Sequence, residues 1–265
     1  MASTARRISQ LLPFTWVWWI LGALLPLAAF PRTPSPVTIW EAFPRGEIRV
    51  GVDASHAPFA AYVNDSLVGI DIDLASALAA QIGVPVRFVP LGFDGLYDAL
   101  YADQIDVLIA AIPRDTSRGD RVLYTPAYFE AGIALVTPRS STITQMADVS
   151  GRRLAYEFGS SAHSEADIWA RRILPFGHMP YQFAAHALDA VRVGDADAAL
   201  VETVAAHLYM RAHPEWDAHM PQVVLSIPYV MALRIDRPSQ AVMITAALEH
   251  LRESGALDTL ISRWL

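Results

Sequence analysis

One strand-like segment constrains this chain more than any other feature of its sequence. Residues 105–112 are apolar on both faces apart from Asp106, they are rich in β-branched side chains, and the run stops at Pro113. Such a run is typical of a buried strand in a mostly parallel sheet, where ligands bind beyond the carboxyl ends of the strands. Arg118 follows this end, and a guanidinium suits a carboxylate, so it is a candidate ligand contact. The alternative is that Arg118 caps a helix or pairs with a surface acid.

The composition excludes several classes of protein. The 265 residues allow one large or two modest domains, and the net charge of −7 argues against a nucleic-acid groove. The chain contains no cysteine, which excludes thiol catalysis, thiolate metal sites and disulfides. It contains no lysine either, which excludes Schiff-base chemistry and the lysine-bearing phosphate loop. The histidines have no metal-binding spacing, so we expect neither a metal nor a cofactor.

The N-terminal segment predicts export from the cytoplasm. Arg6 and Arg7 precede an uncharged run over residues 8–31, and about twenty apolar residues in a helix suffice to cross a bilayer. The arginines keep their end in the cytoplasm and send the remainder outside. We therefore expect residues 1–46 to be a membrane anchor followed by a proline-stiffened tether, with the exported domain starting near Glu47. A cleaved signal peptide is the alternative.

Strand and helix patterns alternate through the rest of the chain, which predicts a parallel α/β sheet. Helical spacing of Leu74, Leu78 and Ile82, for example, predicts a helix that ends at Gly83. The predicted strands cover residues 48–52, 85–89, 105–112, 131–137, 153–156, 198–201 and 229–235, and further helices are predicted near residues 96–101, 187–193 and 241–264, the last interrupted at Gly255.

Two predicted helix starts carry polar residues with more than one interpretation. Asp71 and Asp73 suit the positive end of a helix, and a metal site is the alternative. Ser160 and Ser161 lie in a loop before a helix that we expect to begin with a capping box at Ser164. The exposed N–H groups of that helix could bind an anion, or the serines could simply cap it.

Glu202 follows the predicted strand over residues 198–201, at its carboxyl end. It is therefore the counterpart in the second half of the chain to Arg118 in the first half. A fixed cation and a fixed anion on two such strand ends are the pair that a zwitterionic ligand requires, each contributing about 1.5–3 kcal/mol as a charge-assisted hydrogen bond.

Several different short motifs occur between about residue 47 and the end of the chain, and none of them alone is specific to one protein family. In their order and spacing they resemble the family 3 extracellular solute-binding proteins, the polar amino acid receptors of ABC importers. The motifs lie at residues 49–53, 58–59, 67–74, 93–96, 105–118, 124–128, 158–161, 194–198 and 255–257.

The resemblance implies a periplasmic-binding-protein type II fold, with two α/β lobes joined by two hinge crossovers and preceded here by one N-terminal hydrophobic helix. Lobe one would comprise residues 47–135 plus 232–265, and lobe two residues 136–231. A small polar ligand, an amino acid or an amine, would bind between the lobes of a monomer and be delivered to an ABC transporter permease at the outer face of the membrane.

The resemblance also assigns roles to individual residues. Arg118 would hold the ligand α-carboxylate and Glu202 the α-ammonium. Phe93 would line the side-chain pocket, and Ser160 and Ser161 would complete the carboxylate site. Asp53, His56, Ala111 and Pro113 complete the set of expected ligand contacts.

Three positions depart from the family pattern. Pro113 replaces a usual hydroxyl and has no N–H, Asp115 replaces a common threonine, and His56 stands where an aromatic residue, often tyrosine, is expected. Losing donors and adding a negative charge near Arg118 should weaken carboxylate binding. Asp53 and Asp115 would suit a cationic side chain or an amine, unless both are turn-forming acids.

Two other functions remain open from the sequence. The same fold serves in periplasmic dehydratases of cyclohexadienyl compounds, where Glu202 could act as a general acid. It also serves as a sensory input domain, which here would require a partner carrying the output domain.

Overall fold

Residues 37–265 are described by the structure, which is a computed structural model. Buried apolar runs form the strands, and amphipathic segments between them form the helices. The strands are β1 (Ile48–Val52), β2 (Ser55–His56), β3 (Ala60–Val63), β4 (Ser66–Val68), β5 (Val86–Pro90), β6 (Val107–Pro113), β7 (Val122–Tyr124), β8 (Phe129–Pro138), β9 (Arg153–Glu157), β10 (Gly177–Tyr181), β11 (Ala198–Glu202) and β12 (Ala218–Arg234). The helices are α1 (Ile39–Ala42), α2 (Ile70–Ile82), α3 (Leu96–Tyr101), α4 (Ser161–Ala170), α5 (Ala184–Val193), α6 (Thr203–Ala212), α7 (Pro238–Glu253) and α8 (Ala256–Ile261), and 3₁₀ turns cover Phe93–Gly95, Thr116–Arg118 and Met146–Val149.

Nine strands form one mixed sheet in the order β10-β9-β11-β8-β12-β6-β1-β5, with β7 paired to β12. Strands β5, β1 and β6 are parallel to one another, as are β10, β9 and β11. Between these two parallel groups run β8 and β12, which are antiparallel to each other and to their outer neighbours. The central pair of long strands therefore connects two parallel α/β halves.

Strand β6 has the buried character that its sequence predicts. Its first six residues are buried and only the terminal Pro113 is exposed. Because side chains alternate across a strand, Val107 and Ile109 enter one apolar cluster and Leu108 and Ile112 enter another. Helices cover both faces, which explains why this strand has no polar face. The prediction of a buried strand ending at Pro113 is confirmed.

The last strand is much longer than predicted. The sequence predicts a strand over residues 229–235, whereas β12 spans Ala218–Arg234 and pairs with β8 along most of its length. Two register irregularities interrupt that pairing. Pro221 and Pro228 within this segment interrupt the strand pattern in the sequence, because proline removes a ladder donor.

Packing against the core begins before Glu47, the residue near which we expect the exported domain to start. Ala42 and Phe43 are buried in the same cluster as β1, and the Gln240 side chain donates a hydrogen bond to the Ala42 carbonyl over 2.9 Å. The predicted anchor and most of the tether lie outside the described residues. Within residues 37–265, no helix is long and apolar enough to cross a membrane.

Candidate functional site

A groove lies beyond the end of β6, in the place where the sequence predicts a ligand site. We call it the arginine groove. It encloses about 440 Å³, and it brings together three predicted site residues, Phe93, Pro113 and Arg118. The side chain of Phe93 is 57% exposed there. The groove is lined by Phe93, Asp94, Tyr97, Ile112, Pro113, Arg114, Asp115 and Arg118.

Arg118 is already engaged by its own surroundings. Its Nε donates to Asp115 Oδ2 over 2.8 Å, and its Nη1 donates to Tyr101 Oη over 3.4 Å. The guanidinium lies over the ring of Tyr97, 4.1 Å from the centroid, which is a cation–π contact. The alternative of a surface acid partner is thus realised, and both partners of the pair line the groove.

Asp115 is held in place by the turn that carries Arg118. It caps this 3₁₀ turn, and its Oδ1 accepts hydrogen bonds from Ser117 N over 3.0 Å and from Ser117 Oγ over 2.6 Å. These bonds, and after them the Arg118 guanidinium, lower the pKa of Asp115. A fixed carboxylate therefore lies beside the arginine.

Glu202 lies in a second, smaller cavity, which we call the glutamate pocket. It holds about 50 Å³, and Ser161, Thr203 and Tyr229 also line it. Glu202 ends β11, and no hydrogen bond or ion pair reaches its carboxylate from residues 37–265. Thr203 Oγ1 is buried and has no hydrogen-bond partner in that part of the chain. Two free acceptors in a space of this size suit an ammonium group.

Tyr229 lies between the two cavities. On β12 it pairs with Pro113 of β6 on one side and with Phe129 of β8 on the other, and it also lines the glutamate pocket. Burial and then the charge of Glu202 raise the pKa of its hydroxyl. Tyr229 is not among the predicted site residues, and its signal in the sequence is an aromatic side chain at the start of the predicted last strand.

The two serines at the start of α4 have different positions. Ser160 caps the helix: its Oγ accepts from His163 N over 3.2 Å and donates to the Glu157 carbonyl over 2.7 Å. Ser161 is the first helical residue and lines the glutamate pocket. The predicted capping box at Ser164 is wrong, because the helix begins one turn earlier and Ser164 lies inside it.

Asp53 and His56 line neither cavity. Asp53 Oδ1 accepts from Ser55 N over 3.0 Å and from Ser55 Oγ over 2.7 Å, as a turn-forming acid does. His56 is exposed on β2 and stacks on Phe59, with 5.4 Å between ring centroids.

Ala111 is buried and in the left-handed region, with φ of 48°. Its N–H donates to Tyr128 Oη over 3.0 Å, and the Tyr128 hydroxyl donates to Asp71 Oδ1 over 2.7 Å. Asp71 is fully buried near the start of α2, and its Oδ2 has no partner among the described residues. Burial raises the pKa of Asp71 to about 7. A buried chain of three groups thus fixes the backbone near the end of β6.

Asp71 and Asp73 lie in the first turn of α2, as predicted for a helix start. Asp73 accepts a hydrogen bond from the Trp264 indole over 3.0 Å. Over residues 37–265, no group of three or more His, Asp or Glu side chains is arranged to hold a metal ion.

Comparison with known proteins places this geometry in a family. The arginine-binding extracellular protein ArtP of Bacillus subtilis (strain 168) is 23% identical over 225 residues, which cover 81% of this chain and 84% of ArtP. The open, unliganded L-cystine solute receptor of Neisseria gonorrhoeae superposes with a TM-score of 0.74 at 21% identity, covering 85% of this chain and 94% of that receptor. This likeness supports the fold.

A third similar structure is the ancestral amino acid-binding protein AncCDT-1, described as a precursor of cyclohexadienyl dehydratase. It has a TM-score of 0.52 and 27% identity, covering 84% of this chain and 97% of its own. The sequence profile of the bacterial extracellular solute-binding proteins, family 3, matches residues 48–265. The mixed α/β fold is the one typical of these two-lobed proteins, and the chain belongs to this family.

Proposed function

We propose that this protein captures a small polar ligand carrying a positive charge outside the cytoplasm and delivers it to an ABC importer. The observation that carries the proposal is the Glu202 carboxylate beside the Thr203 hydroxyl, in a pocket large enough for an ammonium group. Neither side chain has a hydrogen-bond partner among residues 37–265. The arginine-binding relative supports a ligand of the cationic amino acid class.

The fold suggests how capture would work. We assign lobe one to residues 37–135 plus 232–265 and lobe two to residues 136–231. Two buried apolar clusters support each lobe, and within residues 37–265 only β8 and β12 lie between the parallel halves of the sheet. Bending of these two strands would bring the arginine groove and the glutamate pocket around one ligand.

The membrane and the transporter are the expected partners. An N-terminal anchor would keep the binding domain at the outer face of the membrane, beside the permease that accepts the ligand. A cleaved N-terminus would release the same domain, and mass spectrometry of the protein recovered from cells distinguishes the two forms.

Calorimetric titration of the purified protein with a panel of amino acids, amines and small carboxylates tests the proposed function. We expect a cationic compound to bind and Glu202→Gln to reduce its affinity by about tenfold or more, because the charge-assisted hydrogen bond to the ligand is lost. Glu215→Gln is the matched control, since Glu215 is an exposed acid away from both cavities. If no compound binds, the proposal fails.

A dehydratase is the second candidate, favoured by the likeness to the ancestral precursor of cyclohexadienyl dehydratase. In that reaction Glu202 would donate the proton to the departing hydroxyl group. Incubation with a cyclohexadienyl acid, with ultraviolet detection of an aromatic product, tests it. Turnover that disappears in Glu202→Gln would favour the enzyme over the receptor.

A further inference from the structure

We propose that Asp115 takes the place of a ligand carboxylate, so that the protein selects amines or guanidines without a carboxylate over amino acids. The inference rests on the proposed function, since it names the chemical class of ligand for the same cleft. It is carried by the engagement of Arg118 and of the donors around it at the end of β6.

The first of these donors is Arg118. A bidentate carboxylate needs two adjacent free N–H groups on the guanidinium fork. Asp115 occupies Nε, and the Tyr101 hydroxyl lies within hydrogen-bonding distance of Nη1. A ligand carboxylate is left with the Nη1 and Nη2 edge of the fork, where it would lie near the negative charge of Asp115.

The neighbouring donors are engaged or missing as well. Pro113 has no N–H, and the N–H of Ala111 is bound to Tyr128. The hydroxyl of Ser117 donates to Asp115. Arg114 also lines the groove, and its guanidinium lies 5.3 Å from the centroid of the Tyr124 ring. An incoming anion would therefore meet two arginines that already have contacts and few other free donors.

The same groove offers a favourable environment to a cation. Phe93 presents an exposed aromatic ring. Asp94 and Asp115 offset the charges of the two arginines in the lining, so the groove has no net positive charge that would repel a cation. Aromatic faces and fixed carboxylates together attract ammonium and guanidinium groups. Glu202 supplies a further free carboxylate in the glutamate pocket. A ligand with a positive group at each end matches both cavities.

Matched ligand pairs that differ only by a carboxylate test this inference: arginine against agmatine, and lysine against cadaverine. We expect calorimetry on the purified protein to show agmatine and cadaverine binding on the order of tenfold more tightly than arginine and lysine. The variant Asp115→Asn should reduce or reverse this preference. It removes the charge and keeps an oxygen that can accept from Ser117, so the turn is retained.

The control variant is Asp120→Asn, which removes the same charge from the same loop outside the groove. It should leave the preference unchanged, which separates a local effect of Asp115 from the general attraction of a doubly charged amine. Amino acids binding as tightly as their decarboxylated counterparts, or equal effects of the two variants, would overturn the inference while the receptor function stands. Binding of none of the four compounds would count against the proposed function itself.

Discussion

Two arginine–aspartate pairs in this protein have the same chemistry and different environments. Arg49 and Asp106 meet at 2.6 Å with side chains that are 5% and 6% exposed. Arg118 and Asp115 meet at 2.8 Å, and both side chains are 39% exposed. The first pair joins residues 57 apart in sequence, and the second lies within one turn. The first pair is buried and therefore stabilises the fold. The second pair is partly exposed, so a ligand could reach it.

The buried pair belongs to a larger network. Asp106 accepts from the Arg49 backbone N–H and Nε, each over 2.9 Å, and from the Gln240 side chain over 3.2 Å. The Arg49 guanidinium also donates to the Asp103 carbonyl and, over 3.0 Å, to the Asp103 carboxylate. This network fixes β1 to the segment that leads into β6, and so supports the strand whose end carries the groove.

Removing the acid of the buried pair should have the largest effect. Asp106→Ala leaves the charge of Arg49 buried without its main partner, so we expect the free energy of unfolding to fall by about 3–5 kcal/mol. Asp115→Ala is the matched control, and it should change that free energy by less than about 1 kcal/mol. Urea denaturation of the two variants measures both, and similar losses would end the distinction between the pairs.

Asp71 differs from both pairs, because it is a buried acid that contacts no cation among residues 37–265. Burial raises the pKa of Asp71 from 3.8 to about 7. Between pH 3.8 and pH 7 this carboxyl group is therefore protonated in the folded protein and ionised in the unfolded chain. The contribution of Asp71 to stability is therefore greatest at low pH and is lost as the pH rises towards 7.

Asp71→Asn should remove this dependence. Urea denaturation at pH 5 and pH 8 should show the native protein losing about 3 kcal/mol more than the variant over that interval. Identical pH dependence in the two proteins would mean that Asp71 is ionised when buried, and that burial without a cation does not keep an acid protonated here.

Replacing Arg49 or Arg118 by lysine shows how far each pair depends on the shape of the guanidinium group. Arg49 uses Nε and both Nη atoms for its contacts. A lysine ammonium cannot reproduce this fork. We expect Arg49→Lys to lower the free energy of unfolding by about 2 kcal/mol and Arg118→Lys to change it by less than about 0.5 kcal/mol. Thermal denaturation with both variants measures the difference, and a larger effect at Arg118 would contradict it.

A double-mutant cycle on Arg118 and Asp115 should give the smallest effect. With alanine at each position and at both, the coupling energy should be below about 1 kcal/mol and should decrease in high salt, because the pair is exposed and screened. A coupling energy of several kcal/mol that does not change with salt would contradict this prediction, because it would mean that the pair behaves like the buried Arg49–Asp106 pair.

Much of the fold could be predicted because its signals are local. The buried strand β6, the helix α2 that ends at Gly83, and the position of Glu202 at a strand end all follow from short patterns. The length of β12 could not, because Pro221 and Pro228 interrupt its pattern and its pairing with β8 joins distant residues.

The candidate site was predictable to a similar degree. Phe93, Pro113 and Arg118 share one groove, and Ser161 and Glu202 share one pocket, as their positions at strand ends and helix starts suggest. The contact between Tyr128 and Asp71 joins residues 57 apart, and no local pattern indicates it. The start of α4 was misplaced because Ser160 and Ser164 are equally good caps in sequence, and tertiary packing selects between them.

The compact arrangement of Asp115 and Arg118 has a consequence for how such a protein can evolve. Because the acid and the arginine share one exposed turn, a single codon change at position 115 would alter the charge offered to a ligand and disturb no distant contact. The buried Arg49 network would require compensating changes in several separate segments. Ligand preference should therefore diverge quickly between descendants of this chain, while the scaffold that carries it changes slowly.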